Sequence, residues 1–222
     1  TVNWIGSAAK EVPVVVAWHT SGFNDFADLQ KREMLVGSPG VATSSSVYAN
    51  VLNQLAGTKF KVITGYVDVS TLNLAMENNE IQGRTGWYVS SLLSTKRQWV
   101  EQGLVKVLVQ LADEKHPAFP NVPLATEFVV DPEKRAQLAF STSWLLMGRP
   151  FVAPAAVPAD RVKLLRESFL KTLADPALQQ EAAKLGLEID PMPGEAVQAL
   201  IAKIYATPKE TIGAVRALII PK

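Results

Sequence analysis

Residues 34–66 constrain the possible folds of this chain more than any other stretch. Met34-Leu35-Val36 is a short apolar run of strand character, and Gly37-Ser38-Pro39-Gly40-Val41-Ala42-Thr43-Ser44-Ser45-Ser46 follows it as a loop of small residues. Val47, Val51, Leu52 and Leu55 then recur at helical spacing until Gly57 ends the helix, which Thr43 or a serine behind it is placed to cap. A second strand from Phe60 to Ile63 runs into Gly65-Tyr66. A Gly/Ser/Thr loop at the carboxyl end of a strand, feeding a helix N-terminus, binds an anion through backbone N–H groups and the helix dipole, without a charged side chain. The same loop serves equally as a plain strand-to-helix turn with Ser and Thr as caps. No general acid, base or nucleophile stands in the stretch, so it points to binding rather than chemistry.

Elsewhere the same alternation continues. Val12 to Trp18 is short and rich in β-branched residues, as a buried strand is, and Asp25 to Lys31 reads as a short helix. Leu72, Ala75 and Met76 mark another helix, Ile81 to Trp87 a strand and loop, Ser90 to Leu93 a helical turn, and Leu104 to Gln110 a strand. This order predicts an α/β fold with a largely parallel sheet. The Pro-rich segment 116–123 excludes regular structure, and Asp131-Pro132 opens a helix to about Phe140. A second apolar stretch, Trp144 to Ala153, is followed by helices. Asp160 caps one with Val162, Leu165, Phe169 and Leu173 on its inner face, and Asp175-Pro176 starts another that Gly186 closes. Leu187 to Ile189 reads as a short strand, Gly194 to Tyr205 as a helix, and Thr207-Pro208 as the start of the last one.

Composition removes several function classes. A net charge of +1 with scattered basic residues gives no electrostatic case for nucleic acid. The absence of cysteine excludes disulfides, thiol catalysis and Cys-based metal sites. No apolar run approaches the ~20 residues of a membrane helix. His19 and His116 lack neighbours at metal spacing and read as structural, so no metal or other cofactor is expected. Ser44, Ser45 and Ser46 lack a Gly-x-Ser-x-Gly elbow, and the loop lacks Gly-Lys-Ser/Thr. Glu77, Glu80 and Glu101 read as solvated rather than as a glycosidase pair. The chain opens at Thr1 in an apolar segment, Val2-Asn3-Trp4-Ile5-Gly6, with no signal-peptide pattern, and the expectation is that an N-terminal portion lies outside it.

A set of short pieces, weak singly and specific in their order, carries a resemblance. They are Ala17-Trp18-His19-Thr20-Ser21, Phe26-Ala27-Asp28-Leu29, the 37–46 loop, Leu52 to Gly57 with Lys59-Phe60-Lys61, Gly65-Tyr66, Ala75-Met76-Glu77, and Glu80 to Gly83. Phe119-Pro120-Asn121-Val122-Pro123-Leu124, Gly148-Arg149-Pro150-Phe151-Val152-Ala153-Pro154 and Val157-Pro158-Ala159-Asp160-Arg161-Val162 complete it. Over nearly its whole length the chain resembles the substrate-binding proteins of tripartite tricarboxylate transporters, the Bug/TctC family.

That resemblance implies the type II periplasmic binding-protein fold, two α/β domains joined by two hinge strands that match Val12–Trp18 and Trp144–Ala153. Residues 1–16 and 146–222 would belong to domain 1, left incomplete because family chains begin earlier, and residues 17–145 to domain 2. The implied function is that of a periplasmic receptor, not an enzyme, matured by removal of a signal peptide. It would bind a small organic carboxylate in the interdomain cleft and deliver it to the membrane permease. Carried over by position, the ligand-binding residues are Ser38, Pro39, Gly40 and Thr43, then Gly65 and Tyr66, then Gly86 and Trp87 of a third loop. Pro39 has no N–H and only shapes its loop. The family's third loop often carries an acidic residue. Here it reads Arg84-Thr85-Gly86-Trp87-Tyr88, which argues against an amino-acid ligand. Arg84 either pairs with a second carboxylate or is a solvated arginine beside Glu80, and Trp87 lies against the ligand or merely packs. The same fold also serves as the effector-sensing domain of transcriptional regulators and sensors. A DNA-binding or membrane segment upstream would mark that alternative, and a signal peptide the receptor. A small α/β hydrolase would need a nucleophile and base in contact, and no triad order is visible.

Overall fold

In the computed structural model, which describes residues 2–219, the chain runs β1 (Val2–Ser7), β2 (Pro13–Trp18), α1 (Phe26–Lys31), β3 (Met34–Ser38), α2 (Ser44–Ala56), β4 (Phe60–Thr64), α3 (Val69–Glu77), β5 (Gly83–Tyr88), α4 (Val89–Glu101) and β6 (Val105–Gln110). After a 3₁₀ turn at Ala125–Phe128 come α5 (Pro132–Thr142), a 3₁₀ turn at Ser143–Met147, β7 (Pro150–Pro154), α6 (Ala159–Leu173), α7 (Pro176–Lys184), β8 (Met192–Pro193), α8 (Gly194–Tyr205) and α9 (Lys209–Ile219). These elements form two compact units. One holds the residues up to 11 with 143–207, and the other holds 12–142 with the chain from 208 on.

The larger unit is built on a five-stranded sheet of order β4-β3-β5-β2-β6. Strand β3 is parallel to both β4 and β5, whereas β2 is antiparallel to both of its neighbours. The sheet is therefore mixed, not largely parallel as the element order predicts. A strand covered on both faces reads as one apolar run whichever way it points, so its direction is not written in its composition. All six residues of β2 are buried, and their alternation divides the core. Val14, Val16 and Trp18 join Leu72 and Met76 of α3 and Leu92 and Trp99 of α4 on one face. Helix α2, with α5 and α9 against it, covers the other.

One irregularity shapes the site. Val14 pairs with Trp87 and Val16 with Arg84, so the one residue between them in β2, Val15, faces two of β5, Thr85 and Gly86. This is a bulge, and Gly86 sits in it with φ +66.

The smaller unit is a three-stranded antiparallel sheet, β7-β1-β8, with α6 and α8 on β1. Ile5, Ala153 and Val162 form its buried cluster, with Phe169 and Val157 against it. Helix α6 starts behind Pro158, so Asp160 lies in its first turn instead of capping it. No strand forms at Leu187–Ile189; the pairing with β1 is made by Met192–Pro193. The apolar stretch from Trp144 divides into a 3₁₀ turn and β7.

The chain passes between the units at 11/12, 142/143 and 207/208. The expected division lay at 16/17 and 145/146, with everything after 146 in one domain. Helix α9 is instead counted with the larger unit, where it packs on α2 and α5 and buries Val215.

Candidate ligand-binding site

Because β3, β4 and β5 are parallel, their carboxyl ends open on one edge of the sheet. From β3 the chain moves to β4 on one side and then to β5 on the other, and such a reversal is where open α/β sheets place ligands. All eight residues expected at the site lie in the loops and strand ends of this edge, within the larger unit.

At the end of β3, Ser38 is fully buried. Its Oγ lies 2.7 Å from Thr43 Oγ1 and accepts from the Ser46 hydroxyl at 2.8 Å. Hydroxyls of Ser38, Thr43 and Ser46 all converge on the Gly40 carbonyl, at 2.9, 2.9 and 2.8 Å. Thr43 is the N-cap of α2, as its position in the sequence predicts, but its hydroxyl is turned to Gly40 and makes no capping bond. The first backbone bond of the helix runs from Val47 N to Thr43 O. The amides of Ser44, Ser45 and Ser46 thus lie ahead of the helical ladder without a side-chain cap. Pro39 shapes the turn, and a Cβ added at Gly40 would meet nothing nearer than Thr43 Cγ2 at 4.0 Å.

The second loop is finished differently. Gly65 is exposed with φ +103, and the Tyr66 ring stands over Gly37, where a Cβ would lie 3.1 Å from Tyr66 Cε2. Partial burial, reinforced by the Glu80 carboxylate, pushes the Tyr66 phenol up from its ordinary range. Asp68 then closes a capping box on α3, its carboxylate accepting from Thr71 N at 2.8 Å while its own N–H donates to Thr71 Oγ1 at 3.2 Å. This loop carries its own anion.

Strand β5 supplies the third part. Gly86 is pressed on the first turn of α2; a Cβ there would lie 2.7 Å from Ser44 O, and its carbonyl accepts from Ser44 Oγ at 3.3 Å. Thr85, absent from the expected site, donates to Ser45 O at 2.5 Å and is fully buried. Trp87 is 2% exposed and edge-on to Trp99, so its ring belongs to the core and not to the loop surface. Arg84 is no solvated arginine. It is 4% exposed, its guanidinium lies 3.9 Å over the Trp87 ring, and Nη1 donates to Asn73 Oδ1 at 2.8 Å. Burial pulls its pKa down to about 10.

Sequence reasoning missed Ser46, Thr85 and Asn73. Their contacts are tertiary, and in the sequence they are unremarkable polar residues with no signal to mark them. Among the described residues no cluster of three His, Asp or Glu side chains could hold a metal ion. His116 is buried and accepts from Ala118 N, and His19 is an exposed neighbour of Trp18. No described helix is long and apolar enough to cross a membrane.

The family model described as the tripartite tricarboxylate transporter family receptor matches residues 22–216. Among solved structures, a TctC solute-binding protein from Polaromonas, without ligand, aligns with a TM-score of 0.69 at 16% identity over 96% of this chain and 69% of its own. A protein of R. palustris with adipate aligns with a TM-score of 0.65 at 12% identity, over 96% and 68%. MatC from Rhodopseudomonas palustris, with bound malate, aligns with a TM-score of 0.59 at 15% identity, over 99% and 70%. At these identities the likeness shows the fold, an α/β fold shared with TctC-type solute-binding proteins. No curated protein sequence matches the chain.

Proposed function

The chain belongs to the receptor family of tripartite tricarboxylate transporters, and from that premise we propose that it is a periplasmic, non-enzymatic receptor for a small organic carboxylate, which it hands to a membrane permease. The larger unit contributes the loops at Ser38–Thr43, Gly65-Tyr66 and Gly86. Trp87 acts behind them, as packing. The observation that carries the reading is the first turn of α2. The Thr43 hydroxyl is turned to Gly40, so the amides ahead of the ladder are left for an acceptor from outside. A carboxylate suits them, since each charge-assisted N–H bond is worth ~1.5–3 kcal/mol and the helix dipole adds to it. Withdrawal of the Gly40 carbonyl into three hydroxyls removes a dipole that would repel an anion. Exposed Val41 and Val67 beside the loops offer apolar contact to the hydrocarbon part of such a ligand.

Gly40→Asp tests the reading. The position has room for a side chain, so the fold survives while a fixed carboxylate competes for the same amides. Calorimetric affinity for carboxylates is expected to fall at least ~100-fold, about 2.7 kcal/mol. Unchanged affinity in a variant with unchanged melting temperature would move the ligand away from this loop.

A further inference from the structure

Two neighbouring residues of β5 reach α2, where a regular strand would send only one of them. The bulge makes the difference. Arg84 and Trp87 stack on each other on the face of α3 and α4, whereas Thr85 and Gly86 both turn to the first turn of α2. They meet that turn residue for residue. Thr85 Oγ1 donates to Ser45 O at 2.5 Å, and the Gly86 carbonyl accepts from Ser44 Oγ at 3.3 Å. Thr85 is fully buried, with Ser45 and Ser46 buried beside it.

Packing alone does not call for this hydroxyl, since valine would fill the same space without burying a polar group. What matters is where its acceptor lies. A helix carbonyl engaged in the ladder keeps a second lone pair, and Thr85 takes that of Ser45. The Ser45 carbonyl and the Ser46 N–H are the two ends of one planar, resonant peptide unit. A hydrogen bond donated to the oxygen draws electron density towards it and strengthens the N–H as a donor, by about 10–30%. The Ser46 N–H is one of the three amides that lie ahead of the helical ladder. The same bond, with that of Ser44 to Gly86, keeps the turn from rotating about the helix axis, so the amide is aimed as well as polarised.

We infer that Thr85 is a positioning residue of the anion site, which through the Ser45 peptide aims the Ser46 N–H and strengthens it as a donor. Fully buried behind the turn, it acts on the peptide and not on the ligand. The inference rests on the carboxylate reading and adds to it a residue that tunes affinity. Its effect belongs to the carboxylate and not to the chain behind it, so acids of different length share it equally.

Calorimetry on the whole chain with acetate, succinate, malate and adipate tests it. Thr85→Val is expected to weaken every acid that binds by about 3- to 10-fold, and by the same factor whatever its length. Thr85→Ser keeps the hydroxyl and is expected to restore affinity to within about twofold. In the ligand-free protein, the Ser46 amide nitrogen resonance of Thr85→Val is expected to move upfield while that of Ser44, in a peptide unit that Thr85 does not touch, stays in place. A loss of packing alone produces no such pattern. Should Thr85→Val fail to fold, Thr85→Ala takes its place with the same expected outcomes. Unchanged affinity, a loss that serine does not restore, or a Ser46 resonance that stays in place overturns the inference and leaves the carboxylate reading standing. Failure of all these acids to bind the unaltered protein overturns both.

Discussion

Helices α2 and α3 begin at neighbouring strand ends of one sheet, yet their first turns are finished in opposite ways. Asp68 places its own carboxylate on α3 and closes the box with Thr71. Thr43 holds the same position on α2 but turns its hydroxyl back to Gly40. Both are good N-cap residues, so the difference lies in what surrounds them, not in propensity. Ser38 and Ser46 draw Thr43 into a hydroxyl cluster that exists only because a strand end, a loop and a helix meet there. A missing cap is not itself a site; α6 and α8 begin behind prolines without one. What distinguishes α2 is that its open turn lies where strand order reverses and is held in place by β5.

That hold is the place to break the comparison most severely. Gly86→Ala puts a Cβ 2.7 Å from Ser44 O at a φ of +66, and should lower unfolding free energy in urea by about 2–4 kcal/mol. A loss below about 1 kcal/mol would mean that α2 is not seated on β5. Next in size, Arg84→Met in the ligand-free protein should raise stability by about 2 kcal/mol, because it removes a buried cation that has no carboxylate partner among the described residues. A fall in melting temperature would show the cation to be compensated. Thr43→Asp makes α2 resemble α3; it should add about 1 kcal/mol and weaken carboxylate binding together. A gain in stability without loss of affinity would separate the first turn from the ligand. Smallest is the reverse change. Asp68→Ala should cost about 0.5–1 kcal/mol by thermal denaturation and leave affinity unaltered.

Much of this was legible in the sequence where local chemistry decides the outcome. Gly57 ends α2 in the left-handed region, Asp175 caps α7 ahead of Pro176, and β3, β4 and α8 lie where their patterns put them. What was not legible depends on partners distant in sequence. The reversed direction of β2 leaves no trace in an all-apolar strand. Helix α4 extends from Val89 to Glu101 although only a turn at Ser90–Leu93 was expected, because its second half is polar and passes through non-helical dihedrals at Lys96. The bulge in β5 defeats any period-2 reading, so packing stayed only one of two readings of Trp87, and its contact with Arg84 was not anticipated.

The core beneath the site has an optical consequence. Trp18 and Trp87 both stand edge-on to Trp99, at centroid distances of 4.9 and 6.3 Å, and Arg84 holds its charge directly over the Trp87 indole. Indole emission responds to nearby charge, and three coupled rings share the excitation. Unfolding parts the rings and takes the charge off the indole, so the intrinsic fluorescence of the cluster follows the integrity of this core. The unlabelled protein thus carries its own probe of folding.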